Sequence, residues 1–273
     1  MLKLGYIDYL NCYPFYYHMF EKEPVPGVSV FPGYPSDLNR LMKSGGLHMS
    51  PVSAATCCDM SDEIHVLPHI SLSSVGYVRS VILVSKCPID SLHGKVVGLT
   101  SASHTSVVLL KIILNAYFQV DPVYVNSPPM TSLEGMDAAL LIGNEAMIYQ
   151  PEPGYHVYDL GELWLEKTGF PVVFAVFTIR RDAVSPHREA IFRVIDSYDR
   201  SIRCLETEKE ALIAKAALKY PAIPYSIETY YTLLQFNFTE RLKQALSLYH
   251  EKGAALGLLK PVNPLSFLDM KRS

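Results

Sequence analysis

Short apolar runs of strand length alternate with amphipathic, helix-length segments along the first two thirds of the chain. Residues 2–7 read as a strand, 13–21 as a helix with Pro14 in its first turn, and 28–31 as a second strand. Proline suits a helix start because the first turn has no use for its missing N–H. Residues 35–44 carry Leu38, Leu41 and Met42 on one helical face and end in Gly45-Gly46, a helix stop signal. Residues 49–51 predict a short strand, with Ser53 placed to cap a following helix. Residues 75–85, rich in Val and Ile, predict one long strand.

A second unit of the same kind follows. Residues 95–99 predict a strand, 103–118 a helix and 122–125 a strand. Residues 137–142 form a continuous apolar run, expected in a strand buried on both faces. Gly143 breaks it, a short helix begins at Glu145, and residues 156–158 lead to a further strand. Residues 172–179 predict another fully buried strand. Beyond it the periodicity is helical only, over 186–205, 209–218, 226–234 and 240–256. Periodicity alone implies an α/β fold with mostly parallel sheets. Two buried runs, at 81–86 and 173–178, are the expected passages between the units. They divide the chain into lobe one, residues 1–85 plus 178–273, and lobe two, residues 86–177.

Composition narrows the function classes. With 273 residues, 49% of them hydrophobic, the chain can bury one large core or two ordinary ones. A net charge of -3 leaves no basic stripe for nucleic acid or an anionic membrane. No apolar run approaches the roughly 20 residues needed to span a bilayer. The cysteines are Cys12, Cys57, Cys58, Cys87 and Cys204; the number is odd, with no Cys-x-x-Cys and no histidine at zinc spacing. A reduced compartment and no metal site are expected. Asp8, Asn11 and Pro14 interrupt the opening apolar run, unlike a secretory signal, so a cytoplasmic location is expected. Composition leaves the oligomeric state open.

The candidate chemistry lies where strands end. Tyr9 and Asn11 follow the first strand, at the address where open α/β sheets bind ligands. An amide offers two donors and two acceptors at any pH, but on spacing alone the plain reading of Asn11 is a helix cap. Five of the seven residues from Thr100 to Ser106 carry hydroxyls, including Ser101, Ser103, Thr105 and Ser106. One hydroxyl suffices for a cap, so the surplus points to an anion cradle at the helix start. Arg79 suits a carboxylate, and Ser80 interrupts an apolar strand; each also has a plain reading, as a solvated arginine and a back-bonded serine. Gly143-Asn144-Glu145 occupies the matching strand end of the second unit, where a cap is again the alternative. His104 is the histidine best placed for proton transfer, Cys12 reads as a buried packing residue, and Trp164 as core. G-x-S-x-G, Walker, G-x-G-x-x-G and H-E-x-x-H signatures are missing, so no cofactor is expected.

Several segments in order carry a family resemblance: YLNCYP at 9–14, PVSAAT at 51–56, VRSVILVS at 78–85, SASHTSVVLL at 101–110, DAALLIGNEA at 137–146 and DLGELWLEKTGFPVVFAVF at 159–177. Together they resemble the chorismate dehydratases of the futalosine-dependent menaquinone pathway. The sister 1,4-dihydroxy-6-naphthoate synthases are a weaker match, because their opening motif differs. The resemblance implies a two-lobed, type II periplasmic-binding-protein-like fold with a ligand cleft between the lobes. It implies loss of water from chorismate to give 3-enolpyruvylbenzoate, with Asn11 and Ser80 contacting the substrate near the reacting carbons. Ser103, Thr105 and Ser106 would hold a carboxylate, and Tyr9, Ser53, Arg79, Ser101 and Asn144 would complete the substrate shell. The base would be the substrate's own enolpyruvyl carboxylate. Two positions depart from the family pattern, His48 and Asn144, where aspartates are usual. A plain solute-binding or ligand-sensing protein of the same fold is the rival class. It would be expected to bring an export signal, a lipid anchor or a signalling module, and none is visible in the sequence.

Overall fold

The computed structural model describes residues 1–129, 133–261 and 263–271. Two sheets organise them. In chain order the first unit runs β1 (Leu2–Ile7), α1 (Tyr13–Glu21), β2 (Val28–Gly33), α2 (Pro35–Lys43), β3 (Met49–Ser53), α3 (Ala54–Asp59) and β4 (Ile64–Ser74). The second runs β5 (Val81–Ser85), β6 (Val96–Thr100), α4 (His104–Ile112), β7 (Val123–Ser127), β8 (Ala138–Ile142), α5 (Gly143–Ile148), β9 (His156–Asp159) and α6 (Leu160–Thr168). Then follow β10 (Val172–Arg180), α7 (Arg181–Thr207), α8 (Lys209–Lys219), α9 (Ile227–Thr232), β11 (Leu234–Asn237) and α10 (Glu240–Ala255). The first sheet has the order β11-β4-β10-β3-β1-β2 and the second β7-β6-β8-β5-β9. This is the expected two-lobed α/β architecture.

Both sheets are mixed rather than mostly parallel. β1 pairs in parallel with β2 and β3, and β6 with β7 and β8. β10 runs antiparallel to β3 and β4, and β5 antiparallel to β8 and β9. The reason is the double passage between sheets. A strand that enters a sheet from the other lobe, rather than through a βαβ crossover, is free to run against its neighbours.

The passages lie earlier than the hydrophobic pattern placed them. Residues 75–85 are not one strand: β4 ends at Ser74, and Gly76 and Arg79 take positive φ before β5 begins at Val81. The chain returns after α6, whose end is marked by Gly169 at φ 71, and β10 lies wholly in the first sheet. The long β4 went unread because histidines and serines interrupt its apolar run. β11, inside the helical tail, is four residues long and leaves no periodicity to read.

The tail packs back on the first sheet. Phe15 of α1 lies 4.4 Å from Phe177 of β10, and both meet Tyr198 of α7. Trp164 is buried edge-on to Tyr249 of α10, so it is core as expected. Cys12 is also buried, which pushes its thiol well above the usual range and leaves it a packing residue. Among the described residues no helix is long and apolar enough to cross a membrane.

Two histidines, His250 buried and His104 half-buried, line the seam between α3 and its neighbours. His250 Nε2 donates to the Ala54 carbonyl at 2.8 Å, and His104 Nδ1 lies 3.3 Å from Thr56 Oγ1. Burial lowers the pKa of both. The unfolded chain therefore binds more protons than the folded one below its ordinary histidine pKa of about 6.5, and stability falls as pH drops through that value. The thermal unfolding midpoint, followed by circular dichroism, is expected to be lower at pH 5.5 than at pH 7.5. Substituting His250→Gln should shrink that difference; an undiminished difference would show that His250 does not contribute.

Candidate functional site

Strand polarity gathers one end of each sheet around a common cleft. β1, β3, β6 and β8 all present their carboxyl ends to it, the position where backbone groups leave the ladder and side chains converge. Because β5 runs antiparallel to β8, with Val81 opposite Ile142, the residue entering β5 stands at the same end. The cleft is narrow, with a cavity volume of about 50 Å³. Its polar lining is Tyr9, Asn11, Ser53, Ser80, Ser103 and Ser106; Val78, Phe174 and Leu234 form part of its apolar lining.

Asn11 caps nothing. The Leu10–Cys12 turn and α1 both begin without a side-chain cap, and Asn11 Oδ1 is buried with no protein partner. Its plain reading as a cap is thereby corrected. The role of capping the opening turn falls to the second lobe, where Asn144 Oδ1 accepts from the Leu10 N–H at 3.0 Å. Asn144 is thus a tie between lobes and does not line the cleft. A carboxylate oxygen would serve equally as this acceptor. His48 lies away from the cleft, with Nδ1 accepting from the Lys3 N–H and its ring stacked on His187 at 4.4 Å.

Ser80 is aimed by its surroundings. The Tyr230 hydroxyl donates to Ser80 Oγ at 2.8 Å and also lies beside the Asn11 amide. Burial holds that phenol well above its ordinary pKa, so it remains a donor. Ser80 Oγ, having accepted, keeps its own proton to offer into the cleft. The backbone is held as firmly. The Ser80 carbonyl accepts from Gly143 N at 2.7 Å, and a single carboxylate, Asp159, accepts from the N–H groups of Val78, Arg79, Gly161 and Glu162 at 2.6 to 3.2 Å. Arg79 sits at φ 69, a left-handed conformation that costs a non-glycine residue about 1 kcal/mol or more and is held here by that carboxylate. Its guanidinium turns away from the cleft, stacking 3.6 Å from the Tyr225 ring centroid and donating to the Tyr77 hydroxyl.

The hydroxyl cluster divides its labour. Ser103 caps α4 by accepting from Ser106 N, and it donates to Ser106 Oγ at 3.0 Å, which leaves the Ser106 proton directed elsewhere. Ser53 caps α3 and accepts from the buried Asn39 amide. Thr105 is a tie between lobes: it donates to the Phe174 carbonyl at 3.1 Å and accepts from Ala55 N at 3.2 Å. Ser101 is exposed and His104 is turned toward Thr56; neither lines the cleft. Of the residues singled out from the sequence, Tyr9, Asn11, Ser53, Ser80, Ser103 and Ser106 come together, while Arg79, Ser101, Thr105 and Asn144 do not. Tyr230 and Asp159 were missed. Tyr230 lies 150 positions from Ser80 in an aromatic helix that reads as core, and no local signal links them.

A family model described as menaquinone biosynthesis matches residues 2–255. The chain belongs to this family. Two relatives from Thermus thermophilus bracket it. A chorismate dehydratase is 33% identical over 199 residues, covering 67% of this chain and 71% of that protein. A 1,4-dihydroxy-6-naphthoate synthase is 26% identical over 272 residues, covering 95% and 96%. Solved structures share the fold of this menaquinone-biosynthesis protein. An Archaeoglobus fulgidus protein superposes with TM-score 0.63 at 23% identity, covering 94% of this chain and 98% of its own. The periplasmic aliphatic sulphonate-binding protein SsuA of Escherichia coli superposes with TM-score 0.65 at 13% identity, covering 100% and 94%. At these identities the likeness is one of fold, and the fold is that of periplasmic binding proteins.

The Thr105 tie makes a direct test of how the lobes are joined. Substituting Thr105→Val keeps the shape but orphans the Ala55 N–H and the Phe174 carbonyl contact. It is expected to cost roughly 2 kcal/mol in urea unfolding, with Thr105→Ser recovering most of the loss. Equal stability of wild type and Thr105→Val would show that the tie carries no weight.

Proposed function

We propose that this menaquinone-biosynthesis protein is a chorismate dehydratase, removing water from chorismate to give 3-enolpyruvylbenzoate, and that it works in the cytoplasm. The observation that carries this reading is the pairing of an unsatisfied amide oxygen, Asn11 Oδ1, with an outward-directed Ser80 hydroxyl in one cleft. A buried acceptor left open costs about 1–3 kcal/mol, a cost offset when a substrate hydroxyl donates to it. The higher identity of the chorismate dehydratase relative, 33% against 26%, supports the same reading.

The chemistry asks little of the protein beyond placement. A ring C–H bond breaks and its electron pair enters the ring; the ring C–OH bond breaks and its pair leaves with the oxygen. The departing hydroxide and the released proton together make water, so the reaction needs no oxidant or reductant. The product ring is aromatic, and that gain supplies most of the driving force. Asn11 accepts from the leaving hydroxyl and fixes its direction. Ser80 donates to the oxygen as charge develops there. Ser106, whose proton the bond from Ser103 leaves free, receives one substrate carboxylate at the start of α4. The second, on the enolpyruvyl group, lies close enough within the substrate itself to take the ring proton, an arrangement that orientation alone can accelerate.

The sister reaction is the alternative, favoured by the length of the naphthoate synthase alignment. Incubation of the purified protein with chorismate, followed by ultraviolet detection of a new aromatic product, separates the readings. Binding of chorismate without product would support a binding protein. Neither binding nor product would favour the sister enzyme. Asn11→Ala is expected to lower turnover by about 10²-fold or more, with unchanged circular dichroism; near-normal turnover would refute its role. Tyr230→Phe should lower kcat more mildly, by roughly five-fold, the worth of one neutral hydrogen bond.

A further inference from the structure

Among the described residues four buried side-chain polar atoms have no protein hydrogen-bond partner, and three belong to the cleft wall or the layer behind it: Tyr9 Oη, Asn11 Oδ1 and Glu145 Oε2. Asn11 is accounted for above. Tyr9 and Glu145 are not. Tyr9 lines the cleft from the first lobe, and Glu145 stands on α5 in the second, three residues beyond the strand end. They are 5% and 8% exposed.

Their juxtaposition depends on Gly143. Its φ is +58, and a Cβ there would lie 2.6 Å from the Tyr9 ring, so only glycine lets the ring rest against this strand end. Tyr34 meets Tyr9 edge-on at 5.9 Å, next to Pro35 in the cleft lining. The hydroxyls of Tyr9 and Tyr34 lie close enough to the Glu145 carboxyl to act on its pKa, while neither Tyr9 Oη nor Glu145 Oε2 closes a hydrogen bond. The elements packed against α5 include β5, β8 and the Leu10–Cys12 turn. β5 and β8 carry no titratable side chain, and the turn brings only Cys12, held neutral by burial. Among the described residues no cation acts on Glu145.

We propose that Glu145 is a positioning residue that holds the Tyr9 hydroxyl as a donor toward a carboxylate of the bound dianion, and thereby sets the affinity for that substrate. The proposal deepens the chorismate dehydratase reading and rests on it for the charge of the ligand. As the neutral acid, Glu145 donates to Tyr9 Oη, and Tyr9 turns its own proton into the cleft. As the carboxylate, Glu145 draws that proton back and places a negative charge one ring behind a dianion. Burial favours the first state by raising the Glu145 pKa, with the two tyrosine hydroxyls offsetting part of the rise. Substrate affinity is therefore highest below the raised pKa and is lost as pH climbs through it.

The pairing is tested first in the ligand-free protein by NMR of ¹³Cζ-labelled tyrosine, with the Tyr9 signal assigned from Tyr9→Phe. The signal is expected to move in one step, above the ordinary carboxyl range, and to stay fixed in Glu145→Gln. A signal indifferent to pH, or moving alike in both proteins, overturns the proposal whatever the substrate is. Chorismate kinetics supply the second readout. Across the same step KM should rise roughly ten-fold with a smaller change in kcat. Glu145→Gln, whose amide still donates to Tyr9, should keep the low KM at every pH, and Glu145→Ala should show the high one throughout. An active wild type with a KM flat across the step overturns the proposal. An NMR step in a protein that does not turn over chorismate supports the pairing and refutes the function instead.

Discussion

One buried carboxylate organises the passage between the lobes. Asp159 ends β9, caps α6 through Gly161 and Glu162, and at the same time binds the N–H groups of Val78 and Arg79 in the crossover. Four backbone donors on one anion are charge-assisted bonds, roughly twice as strong as neutral ones. They hold Arg79 in a conformation that a non-glycine residue otherwise avoids. Gly161 lets the two segments touch, since a Cβ there would lie 2.3 Å from the Gly76 carbonyl. The outcome is a crossover with little freedom, and Ser80, the next residue, inherits its direction from it. The cleft wall at Ser80 depends on this clamp, although Ser80 itself makes no bond to Asp159.

Around the clamp the lobes are joined by single hydrogen bonds from small polar side chains. Asn144 reaches the Leu10 N–H, Thr105 bridges the Phe174 carbonyl and Ala55 N, and Tyr230 reaches Ser80. Each satisfies a backbone or hydroxyl group that the strand ends leave unpaired. The atoms that remain open, on Tyr9, Asn11 and Glu145, are therefore informative: where so many neighbours are paired, an orphan marks a place reserved for something else. Neutral amides and hydroxyls suit a ligand with two carboxylates, because they bind anions without fixing a counter-charge that must be desolvated each cycle.

The sequence allowed the strand-end chemistry to be located but not fully sorted. Tyr9, Asn11, Ser53, Ser103 and Ser106 were recognisable as polar residues at the ends of apolar runs, and Ser80 as a break within one; all line the cleft. Arg79 and Thr105 stood in the same runs but face elsewhere. Their orientation is set by the positive φ at Arg79 and by a contact between lobes, neither of which leaves a mark in periodicity. The parallel βαβ halves were legible because βαβ units repeat a local pattern. The antiparallel entries of β5 and β10 were not, since pairing direction there depends on where a distant strand already lies.

What the chain determined by itself is the alternation that makes two α/β lobes, the placing of polar residues where strands stop, and the ordered motifs that identify its family. These follow from local propensity and from burial, which act over a few residues. What the tertiary structure alone decided is which polar groups share a cleft and which are consumed in holding it. Asn11 is a cap by spacing and an open acceptor in the fold, because Asn144, 133 positions later, takes over the capping of its turn. Hydrogen bonds between lobes are set by three-dimensional proximity, and proximity across such separations has no signature along the chain.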